Sequence, residues 1–303
     1  MIFGYVPSRR LGKSLGVNNL PEKICSYSCI YCQIGRTKKI TIERREFYKP
    51  EMIREDVEKA LKDMKVDYIT FVPNGEPTLD INLGRSAEML KDLGKIAVIS
   101  NSSLIWREDV RHDLNIFDLV SLKLDTTNEE LWRRINRPHR DLELDKILEG
   151  MLKFSEDYDG TLITETMLLE GFEYDFEGIA NFLNELKPDK AYISIPIRPP
   201  AERWVKPANP YTIMKAYEFF SKFVKVELLT DYEDLNFGFS GDAKKDLLSI
   251  TSVHPLREEA VLEILKKDKA NFDVVKELLE EGKLEIREFG GKRFYIRKSS
   301  DQI

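Results

Sequence analysis

Glutamine occurs only twice in the 303 residues, at Gln33 and Gln302, and histidine and cysteine only three times each. His112, His139 and His254 lie far apart and none is near a cysteine, so no local set exists for a histidine-built metal cage. Three cysteines are too few for a four-cysteine zinc site, and a disulfide would use two and strand the third. No apolar run approaches the roughly 20 residues that a membrane-spanning helix needs. The opening MIFGYVPSRRLGK places its charges after a very short apolar stretch and does not read as a signal peptide. A cytoplasmic protein with no membrane partner is therefore expected. Scarce glutamine beside abundant lysine and glutamate leans towards a thermophile.

What is present is 42% hydrophobic and 33% charged residues, in a chain long enough for one large α/β domain with an appendage, or for two domains. The net charge of −6 argues against indiscriminate binding to polyanions, yet residues 1–50 carry ten Lys/Arg against three acids. A second basic cluster is Arg133, Arg134, Arg137 and Arg140. Such patches read either as phosphate or nucleic-acid contacts or as a solvated face paired with acids elsewhere.

All three cysteines fall within eight residues, Cys25-Ser-Tyr-Ser-Cys29-Ile-Tyr-Cys32. Closely spaced thiolates are the usual ligands of iron–sulfur clusters, and three on a four-iron cluster leave one iron open for a small molecule. Zinc completed by water or a distant histidine, and a disulfide with one cysteine left over, are the competing readings. The spacing C-x-x-x-C-x-aromatic-C, with Tyr31 before the last cysteine, resembles the signature of the radical S-adenosylmethionine superfamily. That resemblance implies a 4Fe-4S cluster on Cys25, Cys29 and Cys32 whose open iron is chelated by S-adenosyl-L-methionine, with Tyr31 near the adenine. It further implies reductive cleavage to a 5′-deoxyadenosyl radical that abstracts hydrogen from a substrate, and an electron donor such as flavodoxin or ferredoxin.

Leu15–Leu20 reads as a strand leading into the cysteine loop, and the periodicity of 50–64, ending at Met64, predicts a helix. Tyr68–Val72 reads as a buried strand that stops at Pro73-Asn74-Gly75-Glu76-Pro77-Thr78, where backbone groups and a carboxylate are exposed at its tip. By itself this is an ordinary turn. Standing where the superfamily carries Gly-Gly-Glu, Asn74, Gly75 and Glu76 are implied to contact the methionine amino group. Helical patterns at 83–93, 106–114, 129–135, 144–158 and 176–186 then alternate with strands at 96–100, 119–124, 161–169 and 191–196. Six β/α units in order predict a parallel sheet with right-handed crossovers, and the resemblance implies a partial (β/α)6 TIM-like barrel. Sites in barrels gather at the C-terminal strand ends. That nominates Asn101, Ser102, Lys123 and Asp125 for the ribose hydroxyls and the methionine carboxylate. A Lys123–Asp125 pair bracing the rim is the alternative. Thr164, Thr166, Ser194 and Arg198 are candidates for adenosine or substrate.

The proline-rich stretch 198–210 predicts a rigid extended loop, with Arg198, Glu202, Arg203 and Trp204 offered to a substrate wall or to a linker. A further helix at 211–224 and strand at 225–229 are expected to close the barrel edge. The GFSGD turn at 238–242 marks a boundary, so residues 1–240 are expected to form the barrel and 241–303 a separate unit. In that unit, helices at 256–267 and 271–281 and a basic hairpin at 283–298 resemble a winged helix. Within the superfamily, CSYSCIYCQIGRT, NGEPTL and Ile135–His139 are similar to the branch of tRNA wyosine synthesis, but no further cysteines remain for a second cluster. The substrate is accordingly expected to be tRNA, or alternatively a polypeptide or small metabolite. The reading from another class is a non-catalytic, metal-dependent nucleic-acid-binding regulator.

Overall fold

The computed structural model describes residues 1–62, 65–232 and 234–298. It opens with an antiparallel pair, β1 (Ile2–Ser8) and β2 (Gly12–Val17). The short parallel pair β3 (Ile24–Cys25) and β4 (Lys39–Ile40) then encloses the cysteine loop. An alternation follows: α1 (Pro50–Leu61), β5 (Tyr68–Phe71), α2 (Leu83–Glu88), β6 (Ile96–Ser100), α3 (Glu108–Leu114) and β7 (Leu119–Lys123). It continues with α4 (Glu129–Ile135), α5 (Leu144–Asp157), β8 (Thr161–Met167), α6 (Phe176–Leu186), β9 (Lys190–Ser194), α7 (Pro210–Phe220) and β10 (Val226–Leu229).

One eight-stranded sheet, in the order β1-β2-β5-β6-β7-β8-β9-β10, joins these strands, and every pair from β2 onward is parallel. Central strands such as IAVIS and LVSLK are apolar on both faces because helices cover one face and the sheet curls around the other. The inner face of this half-barrel has its own cluster, Leu11, Ala97, Leu119, Ile163, Tyr192 and Leu229. Towards the C-terminal ends of β7, β8 and β9, residues on that face turn polar, as Lys123, Glu165 and Ser194. The helices seal the outside. On α6, Asp175 caps the Gly178 N–H, Ile179, Ala180, Leu183 and Leu186 are buried, and left-handed Lys187 ends the helix.

All six expected β/α units are present, and α7 with β10 adds a parallel strand at the edge as anticipated. The first strand differs. It begins at Gly12 rather than Leu15 because it pairs with β1, which the charged opening conceals, and it ends at Val17. Asn19 has already turned inward, donating to Asp80 Oδ2 at 3.1 Å. The helix expected over 83–93 stops at Glu88 and continues as turns. Met64 lies outside the described residues.

The C-terminal segment contains α8 (Ala243–Ile250), β11 (Leu256–Arg257), α9 (Glu258–Lys267), α10 (Asp273–Glu280), β12 (Leu284–Phe289) and β13 (Lys292–Arg297). Its sheet has the order β11-β13-β12, and Leu247, Ile250, Val261, Ile264, Val275 and Leu278 build a second core. Leu256 and Arg257 pair with β13 instead of starting the helix. The short α8 was not anticipated; Asp242, read as part of a turn, is its N-cap. Gly290 and Gly291, both at positive φ, turn the hairpin as expected. The segment rests on the barrel through α8 and β1: Ser249 Oγ donates to Ile2 O at 3.3 Å, and nearby Gly238 N donates to Tyr5 O at 3.0 Å. Among the described residues no helix is long and apolar enough to cross a membrane.

Candidate active site

The cysteine loop is irregular backbone, so its polar groups must find partners outside itself. They find them in three places. Ile30 N donates to Ile135 O at 2.9 Å, Ser28 N to Asn136 O at 3.1 Å, and Ser26 O accepts from His139 N at 2.8 Å. Ile24 O accepts from Glu76 N at 3.1 Å, and Ile30 O accepts from Glu202 N at 2.9 Å. Gly75 is required by this approach, since a Cβ there would sit 1.7 Å from Ile24 O. The buried Glu202 carboxylate takes Arg36 (2.9 Å) and Arg137 (2.6 Å), whose guanidinium contacts, Arg36 first, hold its pKa low. Glu202 thus fastens the loop and does not line the cavity. Trp204 is exposed beside Phe172, also away from it.

Each sulfur accepts one N–H from a different element. Asn101 Nδ2 lies 3.4 Å from Cys25 Sγ, Asn136 Nδ2 lies 3.5 Å from Cys29 Sγ, and Lys23 Nζ lies 3.1 Å from Cys32 Sγ. Hydrogen bonds of this kind suit cluster-bound thiolates and tune their reduction potential. Among the described residues no three His, Cys, Asp or Glu side chains are arranged to hold a single metal ion. A four-iron cluster does not require that, because each cysteine binds a different iron. The donor set therefore fits a cluster better than zinc. As free thiols, Cys25 and Cys29 are pushed up by burial, Cys29 to about 12. Loading must then release protons, so raising the pH favours it. Anaerobic iron–sulfide reconstitution should give more protein-bound iron and sulfide at pH 8.5 than at pH 6.5.

Beside the sulfurs stands the Glu76 carboxylate, 1% exposed. Its Oε1 accepts from Thr78 N (3.1 Å), Thr78 Oγ1 (2.7 Å) and Ser100 Oγ (2.7 Å), while Oε2 accepts from Asn101 N (2.7 Å). Burial raises its pKa against the pull of these four donors. Oε2 keeps acceptor capacity for one more donor. Asn74 Oδ1 is buried with no hydrogen bond among the described residues. Ser102 is in the left-handed region, and its hydroxyl donates to Lys123 O at 3.0 Å, tying β6 to β7 rather than facing the cavity.

Tyr31 donates its hydroxyl to Asp125 Oδ2, which also accepts from Asn136 Nδ2 at 2.7 Å. Asp125 Oδ1 accepts from Met167 N at 2.8 Å. Lys123 Nζ lies 3.6 Å from Asp125, 3.1 Å from Glu165 and 5.2 Å from the Tyr31 ring centre, and burial lowers its pKa. Glu165 pairs with Arg10, from the β1–β2 turn, and accepts from Ser194 Oγ at 2.8 Å. Thr166 Oγ1 donates to Leu124 O, closing a strand end. Over the polar floor opens a cavity of about 340 Å³, with Tyr31, Cys32, Lys123, Glu165, Arg198 and His254 among its walls. The structure brings Tyr31, Asn101, Lys123 and Asp125 together near the cysteines. It adds Asn136, which stood in the Ile135–His139 stretch, Lys23 and Arg10, which belonged to the basic first fifty residues, and Glu165, which had no sequence signal.

Residues 21–183 match the family described as the Radical SAM superfamily. A UPF0026 protein of Methanocaldococcus jannaschii is 53% identical over 99% of this chain and 97% of its own length. A UPF0026 protein of Helicobacter pylori is 31% identical over 97% of each. Among solved structures, Streptococcus suis SuiB bound to S-adenosylmethionine aligns with TM-score 0.52 and 15% identity, covering 78% of this chain and 53% of SuiB. A radical SAM methyltransferase from Sphaerobacter thermophilus gives TM-score 0.52 and 13% identity over 75% of this chain and 68% of its own. The chain therefore spans about half the length of SuiB, and these two likenesses concern the fold.

Proposed function

The chain belongs to the radical SAM superfamily, enzymes that use a 4Fe-4S cluster and S-adenosylmethionine, and from that membership we propose that it abstracts hydrogen from a small molecule seated in the barrel cavity. The observation that carries this reading is the set of three sulfurs, each with its own N–H donor, beside a cavity with a charged floor. When bound and reduced, the cluster supplies the electron that splits the sulfonium and so yields the 5′-deoxyadenosyl radical. In this reading Cys25, Cys29 and Cys32 hold the cluster. Glu76 Oε2 takes the methionine amino group, and the Asn74–Gly75 backbone shapes that pocket. Asn101, Ser102 and Asp125 order the strand ends around the ribose, Lys123 meets the methionine carboxylate, and Tyr31 flanks the adenine. The electron comes from a flavodoxin- or ferredoxin-type donor, and the setting is the reducing cytoplasm.

The unit expected over 241–303, of which residues 241–298 are described, is read as winged-helix-like. Four of the six cations in its hairpin are paired with carboxylates, which supports a small substrate better than tRNA. Lys283 pairs with Glu281, Arg287 with Glu285, Lys292 with Glu259 and Arg293 with Glu258. In the second basic cluster, Arg133, Arg134, Arg137 and Arg140 also have carboxylate partners. Cations already paired release few counterions from a polyanion.

The test is anaerobic: reconstitute the cluster, reduce it, add S-adenosylmethionine and quantify 5′-deoxyadenosine and methionine. Cys29→Ala is expected to reduce formation to background; full activity in that variant defeats the assignment. Stimulation by the small-molecule fraction of a cell extract fits the proposal, whereas stimulation by the tRNA fraction alone transfers the substrate to RNA. Metal binding without any cleavage under either fraction would return the protein to the regulator reading.

A further inference from the structure

Gln33 is one of only two glutamines in the chain, and it follows Cys32 directly. Its amide is used at both ends. Oε1 accepts from Arg198 Nη1 at 2.6 Å, and Nε2 donates to Val253 O at 3.4 Å. Glutamate could accept only, and lysine donate only, so the position calls for an amide. Arg198 leaves the C-terminal end of β9, and its Nη2 lies 3.1 Å from His254 Nε2. A guanidinium only donates, so Nε2 accepts and the imidazole proton sits on Nδ1. The His254 ring is buried, 5.3 Å from the Phe237 ring, and its backbone N–H donates to Ile250 O at 2.9 Å. Gln33, Arg198, Val253 and His254 all line the 340 Å³ cavity, together with Phe3 and Val6 of β1.

The cavity is therefore bounded by two parts of the chain, the barrel and the turn that follows α8. The Val253–His254 turn of the C-terminal segment faces the cavity. We propose that this turn is a substrate-positioning wall of the active site, latched to the cysteine loop through Gln33 and to the end of β9 through Arg198. The idea rests on the proposed function for its substrate, but the latch itself exists before any substrate binds. The C-terminal segment then helps select which small molecule reaches the radical, and opening the latch exposes the Cys32 side of the cluster to solvent.

The experiment uses the full chain with its cluster reconstituted, and bathophenanthroline disulfonate as an iron-chelating probe. Gln33→Leu and Arg198→Met should release iron about tenfold faster than the unaltered protein, the factor by which losing one or two hydrogen bonds shifts a local opening equilibrium. Arg198→Lys, which keeps a cationic donor facing Gln33, should restore most of the slow rate, a rescue that a purely volumetric defect would not show. Lys276→Ala, on exposed α10, should leave it unchanged. A second measurement does not depend on loading: in the metal-free protein, amide hydrogen exchange over residues 250–256 should quicken in Gln33→Leu and Arg198→Met. Wild-type rates of both iron release and exchange in these two variants would overturn the latch. Failure of the proposed function would appear separately, as no 5′-deoxyadenosine from the unaltered protein, with the release and exchange rates still readable.

Discussion

Gly75→Ala is expected to destroy the cluster site, although it adds only one methyl group. The methyl would fall 1.7 Å from Ile24 O and 2.9 Å from a Leu20 methyl, and the nearer obstacle is backbone. Flexible side chains can rotate away from such a clash, but the Ile24 carbonyl is fixed by the Glu76 N–H and by the β3–β4 pairing around it. Cys25 is the next residue. The cost should exceed the roughly 1–3 kcal/mol usual for overpacking, because a strand end and a ligand loop must separate. Iron content after reconstitution should fall to background and the thermal midpoint should drop. A variant that loads iron normally would show that the loop tolerates displacement from the β5 tip.

Glu76→Ala should be the next most damaging change. It leaves the N–H groups of Thr78 and Asn101 and the hydroxyls of Thr78 and Ser100 buried without their acceptor, at a cost of about 3–5 kcal/mol. Glu76→Gln separates shape from charge. Its carbonyl can replace one oxygen, but its NH2 must face a donor, either Asn101 N or the Oε1 group of donors. The Gln variant should therefore fold, hold iron, and lose binding of S-adenosylmethionine more than it loses stability. Equilibrium binding to the oxidised, loaded protein and thermal unfolding read the two effects apart. Unchanged binding in Glu76→Gln would confine this residue to bracing the strand ends.

Residues close in sequence made the centre of the site legible. CSYSCIYC and NGEP each place several atoms of the candidate site within a few residues, and strands such as IAVIS are conspicuous because both faces are covered. The hidden parts depend on distant partners. Nothing beside Asn136 reveals that its amide reaches both Asp125 and Cys29, and nothing near Arg10 points to Glu165. β1 was obscured by its charged neighbours, and α8 is only eight residues long. The hairpin cations were visible, but Glu258 and Glu259, which pair with Arg293 and Lys292, start a helix some thirty residues earlier. A basic sequence thus became a largely neutralised surface.

The straps on the cysteine loop also set an order of events during synthesis. Its partners are Glu76, then Ile135 to His139, then Glu202, so the loop emerges from the ribosome long before the groups that shape it. Contacts across such separations form late, because the intervening chain must be closed before they can stabilise anything. A nascent chain shorter than about the first two hundred residues presents three thiols on an unshaped segment, open to oxidation or to the wrong metal. The last strap, Glu202, follows β9, so the cysteine loop can take its final shape only once nearly the whole barrel has been made.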